Sequence, residues 1–321
     1  MSIAMDGADQ SAHDIPKVQG RVPKDLSPWP QKLQCVTVHG VLLAMFNVLN
    51  IVHGGANMAV TCLLRALQLV GNIPSTLYLQ VDGGSENWNQ VLFGIIDLLF
   101  DLYSDLKTVI ISRLPVGHTH VDIDRFFSYL NGLLFGKSGG GRESGANVIT
   151  REDFVAIFHK AMAGNKDTML LDHFFEDVNC VYDWWSFIQP HFSRDFSGYG
   201  SAGNVHVFKY QRMNGSTTPH ISYKYWHQSA EWLPADGSSL KILDSRPNLG
   251  DLTALQPAAH VDEHKDVLLG LQKPLLKWLQ QQQSLSLVSA EDVKAWKHYF
   301  KTLGNLCSYV LMSVILLMLA M

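Results

Sequence analysis

The fold class is decided by residues 75–116, STLYLQVDGGSENWNQVLFGIIDLLFDLYSDLKTVIISRLPV. The segment opens with a β-rich run that ends at Asp82, continues as a long apolar helix pattern, and closes with the β-rich run KTVIISRLPV. A strand, a helix and a second strand in this order predict a βαβ unit, whose two strands run parallel. We therefore expect an α/β protein with a partly parallel sheet.

The flanking segments extend this pattern on both sides. SIAMD predicts a short strand that ends at Asp6, and residues 34–52, QCVTVHGVLLAMFNVLNIV, predict two strands joined by a turn. Residues 56–71 and 121–134 have the apolar spacing of helices. The predicted order is β-β-β-α-β-α-β-α, in which the early hairpin adds antiparallel strands to a mixed sheet.

Composition limits the classes of function. The chain has 321 residues, 47% of them hydrophobic and 17% charged, which is enough material for about two globular domains. The net charge of -4 gives no overall attraction to nucleic acid, so DNA binding would need a local basic face or a partner. The four cysteines have no C-x-x-C spacing, which argues against a zinc ribbon or a disulfide framework and favours a reducing compartment.

Changes in composition along the chain predict five regions. They are an α/β core at 1–136, a loop and helical insertion at 137–180, a strand-rich accessory region at 181–250, a polar linker at 251–288, and a helix with an apolar tail at 289–321. The linker contains the run QQQQ, and Ser289-Ala-Glu-Asp predicts the cap of the last helix.

The apolar tail at 303–321 is nearly long enough to span a bilayer, which takes about 20 apolar residues. Lysines precede it at Lys294, Lys297 and Lys301, so an inserted tail would anchor the protein with its body in the cytosol. The alternatives are a C-terminal helix that packs on the core and an accidental extension of the reading frame.

Three acidic residues lie where a site is expected in an open α/β sheet. Asp6 and Asp82 end predicted strands, and Asp124 opens a predicted helix. If the three carboxylates converge, they form a hard-oxygen site for Mg²⁺ or Mn²⁺. Two such ions can support cleavage and transfer of phosphodiester bonds, and this is our main hypothesis for the site.

The segment GHTHVDID, residues 117–124, allows several interpretations. In one, His118, His120, Asp122 and Asp124 share a face of an extended segment and form a transition-metal site, as in a single-metal hydrolase. In another, the aspartates start a helix, with Asp122 the better cap and Asp124 the better ligand. The histidines would then orient a carboxylate or donate a proton to a leaving oxygen.

Other acidic residues are ordinary candidates. Glu86 is either a supporting or metal-binding carboxylate near Asp82 or an acidic residue in a first helical turn, and we favour the second interpretation. Asp97, Asp101 and Asp105 recur every four residues on one predicted helix, which is most simply a solvated face.

Aromatic residues are frequent between residues 181 and 250. They could stack on unpaired bases, with lysines and arginines nearby, but aromatics in alternating strands more often pack against neighbouring strands, and we favour packing. The residues concerned are Trp184, Trp185, Tyr223, Tyr225, Trp226 and Trp232.

Three motifs together carry a resemblance to a known family. DGADQ, LYLQVDGGSENWN and LPVGHTHVDIDRFFSYL resemble a transposase-derived, eukaryotic domain-of-unknown-function family with the motifs D-G-M-D-Q, L-Q-L-D-N-x-x-x-E-N-K-N and L-P-V-G-H-T-H-x-D-I-D. That family resembles DDE transposases with an RNase H-like core, and the likeness covers about residues 1–250. It implies Asp6, Asp82 and Asp124 as the three acids, Mg²⁺ or Mn²⁺ as cofactor, DNA as substrate, a homo-oligomer and a nuclear location.

The chain also departs from the family pattern. Gly83 follows the second acid where the family has Asn, and Trp88 stands where the family has Lys. A lost lysine would weaken contact with a phosphate backbone. Because the chain begins almost at the first strand, we expect the DNA-recognition modules of relatives to be missing. An active enzyme and a decayed, inactive copy both remain open, and the alternative function is a non-catalytic domesticated binding module, displayed on a membrane if the tail inserts.

Overall fold

The structure is a computed structural model. It describes residues 1–8, 13–17, 28–49, 55–113, 121–136, 145–166, 171–178, 180–194, 196, 205–213, 216–255, 257–260 and 265–303.

Within these ranges the chain forms ten strands, and eight of them make one mixed sheet. The strands are β1 (Ser2–Gly7), β2 (Gln31–Val38), β3 (Leu42–Leu49), β4 (Thr76–Val81), β5 (Thr108–Arg113), β6 (Asp172–Val178), β7 (Cys180–Tyr182), β8 (Val207–Arg212), β9 (Pro219–Lys224) and β10 (Pro257–His260). The large sheet has the order β6-β3-β2-β1-β4-β5-β8-β9, and β7 pairs separately with β10.

Seven α-helices lie in the described part of the chain. They are α1 (Ala56–Val70), α2 (Gln90–Leu102), α3 (Val121–Phe135), α4 (Arg151–Gly164), α5 (Trp184–Ile188), α6 (Lys265–Ser284) and α7 (Ala290–Thr302). Helices α1, α2 and α5 pack together, α3 packs against β1 and α4, and α6 packs against α7.

Two neighbouring phenylalanines of β6 show that helices cover both faces of the sheet. The Phe174 ring lies 5.6 Å from the guanidinium of Arg65 on α1. The Phe175 ring lies 5.4 Å from the ring of Phe158 on α4. Because successive side chains of a strand point to opposite faces, α1 and α4 lie on opposite sides of the sheet.

The predicted order of the first eight elements is confirmed. Strand β2 pairs antiparallel with both β1 and β3, and the hairpin turns between Val38 and Leu42. Strand β1 is parallel to β4, and β4 is parallel to β5. Helix α2 is buried at every position from 91 to 100, which explains why its sequence is apolar on all sides.

The regions after residue 136 contribute more to the central sheet than their composition predicts. Strand β6 lies in the region expected to be a loop and helical insertion, and it pairs parallel with β3. Strands β8 and β9 extend the other edge, where β8 pairs antiparallel with β5. The strand-rich region at 181–250 is therefore joined to the core sheet by backbone hydrogen bonds.

The prediction of a polar linker at 251–288 is wrong for residues 265–284, which form α6. The glutamine run lies inside this helix, because glutamine is a good helix former and Leu275, Trp278 and Leu279 are buried on one side. The predicted cap of the last helix is confirmed, since Ser289 and Asp292 form a reciprocal capping box.

The apolar tail, after Leu303, lies outside the described residues. Among the helices that the structure does describe, none combines the length and apolarity that crossing a bilayer requires.

Candidate functional site

Asp6 and Asp82 are neighbours at the centre of the sheet. The last paired residues of the parallel strands β1 and β4 are Met5 and Val81. Asp6 and Asp82 are the next residues on these two strands, so both lie at the carboxyl edge of adjacent central strands. Strands that lie side by side are about 4.8 Å apart, which brings two carboxylates close together.

The pKa of Asp6 reflects the proximity of Asp82. Burial, and to a smaller extent the negative charge of Asp82, raise the pKa of Asp6 from its usual 3.8 to about 7. The backbone N–H of Gly7, which donates to Asp6 Oδ1 at 2.8 Å, opposes the rise. Asp124 adds a smaller repulsion. A carboxyl whose pKa is raised by burial and by like charges is typical of functional sites.

The third predicted acid comes from the first turn of α3. Asp124 lies near enough to Asp6 to raise its pKa, but it is the smallest of the contributions to that shift. Asp122, in the same turn, faces elsewhere, since its Oδ2 lies 3.3 Å from Nε2 of His39 at the β2–β3 turn. The apolar spacing of residues 121–134 places Ile123 and Phe126 on one side of α3, and both are buried. Of the two aspartates, Asp124 is the one whose charge contributes to the pKa of Asp6.

The loop after β4 holds the second acid. Asn87 Nδ2 donates to Asp82 Oδ1 at 2.7 Å. The backbone N–H groups of Asn87 and Trp88 both donate to the carbonyl of Gly84, which closes the loop around the carboxylate. A Cβ on Gly84 would lie 2.8 Å from Asp82 Oδ2, so a side chain there would displace the carboxylate.

Glu86 does not have the position that we favoured from the sequence, and its role as a supporting carboxylate stays a prediction. It precedes α2, which is capped by the side chain of Asn89, so it is not in a first helical turn. Both oxygens of Glu86 accept from Nζ of Lys32 on β2, at 2.8 and 3.0 Å. Lys32 is buried, so Glu86 neutralises a buried cation. We did not predict Lys32, because a single lysine in an apolar strand carries no motif.

The acid pair and its surroundings supply some of the oxygen ligands that a divalent cation requires. Two adjacent carboxylates suit Mg²⁺, which commonly binds proteins through one or two carboxylates and keeps several waters. Oδ1 of the buried Asn87, beside Asp82, has no hydrogen-bond partner in the structure and offers a further oxygen. Within the described ranges, however, no group of three or more His, Cys, Asp or Glu side chains is arranged to hold a metal ion. The acid pair therefore fits a weakly held, hydrated cation better than a closed cage.

Of two other predictions from the sequence, one lies outside the described residues and the other can be compared with the structure. The predicted site residues His118 and His120 fall outside the described residues, so the histidine-based metal site stays a prediction. The prediction that Asp97, Asp101 and Asp105 form a solvated face is wrong at Asp97, because its side chain is only 3% exposed and forms an ion pair with Arg246. Asp105 is exposed, as predicted. Burial raises the pKa of Asp97 to about 6 although Arg246 opposes it.

Comparison with known proteins gives a family and no described activity. No curated protein and no solved structure matches the chain. The model of one family, described as Domain of unknown function (DUF7869), matches residues 25–229, which is more than half of the chain and includes β2 to β5, α1 to α5 and Asp82. The chain belongs to this family, the domain of unknown function DUF7869.

Proposed function

We propose that the chain is a transposase- or integrase-like protein with an RNase H-like core, whose acid pair supports cleavage and transfer of DNA strands. The observation that carries the proposal is the placement of Asp6 and Asp82 at the ends of two adjacent parallel strands in the centre of the sheet. The order β-β-β-α-β-α-β-α, with an antiparallel β1–β2–β3 and a parallel β1–β4–β5, supports the RNase H-like interpretation.

In this proposal Asp6 and Asp82 hold Mg²⁺ or Mn²⁺, with Asp124 as a third acid. Two such ions, when bound, supply activation of an attacking hydroxyl or water and stabilisation of the leaving oxygen. The loop residues Asn87 and Gly84 keep the Asp82 carboxylate in place.

Asp6 would link cation binding to proton release. With a pKa of about 7, its carboxyl is about half protonated at neutral pH. A cation that binds there must displace this proton, so affinity should rise as pH rises through 7.

The experiment is calorimetric titration of the full chain with Mn²⁺ at pH 8, followed by incubation with end-labelled DNA. We expect Asp6→Asn and Asp82→Asn to lose Mn²⁺ binding and any strand cleavage. Asp105→Asn is the matched control, because Asp105 is an exposed carboxylate in the turn after α2. If the wild type binds no Mn²⁺ at millimolar concentration, with or without DNA, the catalytic proposal is wrong.

One observation favours a second candidate, a non-catalytic binding module with the same fold. The described residues bring no three His, Cys, Asp or Glu side chains into metal-binding range, as expected if the site has decayed. A decayed module would bind a macromolecular partner equally well in wild type and in Asp82→Asn, and the wild type would cleave no DNA in Mn²⁺. The active enzyme implies a nuclear location, whereas the module is compatible with a tail-anchored one.

A further inference from the structure

Lys32 is a buried cation within a core strand. It lies on β2, whose residues are all buried, and is itself only 5% exposed. Both oxygens of Glu86 accept from its Nζ, at 2.8 and 3.0 Å. Taking this lysine out of water costs stability even when it is paired, and an apolar residue would fill the position without that cost. Such a departure from the most stable choice is expected where the residue serves a function.

Lys32 lies beyond the end of β1, behind the acid pair. Gly7, the last paired residue of β1, lies opposite Gln34 of β2. Because the two strands are antiparallel, Lys32 lies two residues, or about 7 Å, beyond the carboxyl end of β1. Asp6 pairs with Cys35, and side chains alternate along a strand, so Lys32 points to the opposite face of the sheet from Asp6.

The partner of Lys32 comes from the other side of β1. Strand β1 lies between β2 and β4 in the sheet. Glu86 belongs to the loop that follows β4 and leads into α2. A contact between Glu86 and Lys32 therefore requires this loop to cross the carboxyl end of β1. The ion pair attaches the loop to the strand on the far side.

The same loop holds the second acid. Asn87, which directly follows the glutamate, is 5% exposed and donates to Asp82 Oδ1 at 2.7 Å. The end of the loop that enters α2 is fixed separately, because Trp88 is buried and Asn89 caps the helix. Lys32 therefore sets where the loop crosses β1, and the loop in turn sets the position of the Asp82 carboxylate.

We infer that Lys32 is a positioning residue of the acid pair, which holds the loop after β4 across the end of β1 so that Asn87 fixes the Asp82 carboxylate for cation binding. This inference rests on the proposed function and adds to it a residue that touches neither the cation nor the DNA. Lys32 is buried and paired with Glu86, so its amine is not open to a phosphate.

The test is calorimetric titration of full-length Lys32→Met with Mn²⁺ at pH 8. Methionine suits the buried position, and Glu86, whose side chain is 42% exposed, is hydrated once it is unpaired, so Tm should change little. We expect Mn²⁺ affinity to fall about 10-fold, since loss of a group that orients a metal ligand costs 10- to 100-fold. Loss of a positive charge alone would raise the affinity for a cation, so the sign of the change separates positioning from direct electrostatics.

Two further variants control for charge and for coupling. Arg65→Met also removes a cation that pairs with a glutamate, at 2.8 Å to Glu176 on β6. Strand β6 lies three strands away from β1, so this variant should keep the Mn²⁺ affinity of the wild type. Adding Glu86→Gln to Lys32→Met should lower the affinity no further, because the two residues act through one contact.

A measurement without metal separates this inference from the proposed function. In EDTA, exchange of the backbone N–H groups of Asn87 and Trp88, which donate to Gly84, should be about 10-fold faster in Lys32→Met and unchanged in Arg65→Met. Equal exchange in the two variants, or an unchanged or higher Mn²⁺ affinity in Lys32→Met, would overturn the inference. A wild type that binds no Mn²⁺, with faster exchange in Lys32→Met, would refute the catalytic proposal and support Lys32 as the residue that holds the loop.

Discussion

Replacing Asp6 by Asn should stabilise the protein at neutral and alkaline pH when no divalent cation is present. The ionised form of Asp6 is disfavoured in the folded protein by burial and by the charge of Asp82, whereas it meets neither in the unfolded chain. Asn has nearly the same shape, and its Oδ1 can still accept the hydrogen bond from Gly7. The substitution therefore removes the unfavourable charge and keeps the contact.

The magnitude follows from the pKa. A rise from 3.8 to about 7 is about three pH units, and each unit corresponds to 1.36 kcal/mol, which gives about 4 kcal/mol as an upper value. Asp6 is only partly buried, and screening by solvent reduces this to about 2 kcal/mol. For a chain of this size, that difference shifts Tm by about 4 °C.

The pH dependence has a definite sign. Because the folded pKa of Asp6 lies above the unfolded one, the protonated carboxyl favours folding below about pH 4. This stability is lost as pH rises from 4 to about 7, and the loss is constant above that. Wild type and Asp6→Asn should therefore have similar stability at pH 4 and differ by about 2 kcal/mol at pH 8.

The assay is thermal unfolding in EDTA between pH 4 and pH 8, with Asp105→Asn as the control for the loss of one surface charge. Mg²⁺ at a concentration 100 times Kd should then stabilise the wild type by about 2.7 kcal/mol. The same concentration should leave the stability of Asp6→Asn unchanged. Parallel pH profiles of wild type and Asp6→Asn, or a less stable Asp6→Asn at pH 8, would refute the electrostatic argument.

Three further changes have expected outcomes. Gly84→Ala should lower Mn²⁺ affinity about 10- to 100-fold in calorimetry with little change in Tm, because its Cβ meets the Asp82 carboxylate and not the backbone, so only that side chain has to move; an unchanged affinity would contradict this. Arg246→Ala should destabilise the fold by about 3–5 kcal/mol in urea at pH 7.5 and by less at pH 5, where the buried Asp97 takes up a proton; a loss independent of pH would argue against the ion pair. Thr150→Ala should cost about 1 kcal/mol in the same assay, and Thr150→Ser almost nothing, because only the hydroxyl is needed for the helix cap.

The positions of Asp6 and Asp82 at the ends of strands could be predicted from the sequence because they depend on two strong local patterns. Each aspartate stands at the end of a β-rich run. The βαβ rule predicts that β4 and β5 are parallel, so the carboxyl ends of these two strands meet at one edge of the sheet. Only the position of β1 next to β4, and not at the edge of the sheet, had to come from the structure.

Contacts between distant segments could not be predicted in this way. Asp97 and Arg246 lie 149 positions apart, and the regular spacing of aspartates on α2 is equally compatible with a solvated face. Strand β6 has Phe174 and Phe175 in succession, and neighbouring apolar residues give no alternation to mark a strand. Both were decided by tertiary packing, which local patterns do not record.

The loop around Asp82 could be predicted only in part from the sequence. The pair Gly83-Gly84 and the amide of Asn87 are visible in the sequence, but they look like an ordinary turn. Their role appears once Asn87 is seen to donate to Asp82 and Gly84 to approach its carboxylate.

The cost of the acid pair is itself an argument for a function at this edge. Two apolar residues at the ends of β1 and β4 would extend the core beyond Met5 and Val81, both fully buried, without the penalty of a partly buried charge. The fold instead keeps Asp6 destabilised and adds an asparagine to fix Asp82. Local departures from the most stable choice are expected where a site binds something. A cation is the simplest ligand that turns this repulsion into stabilisation, which is why the Mg²⁺ dependence of stability tests the proposed function directly.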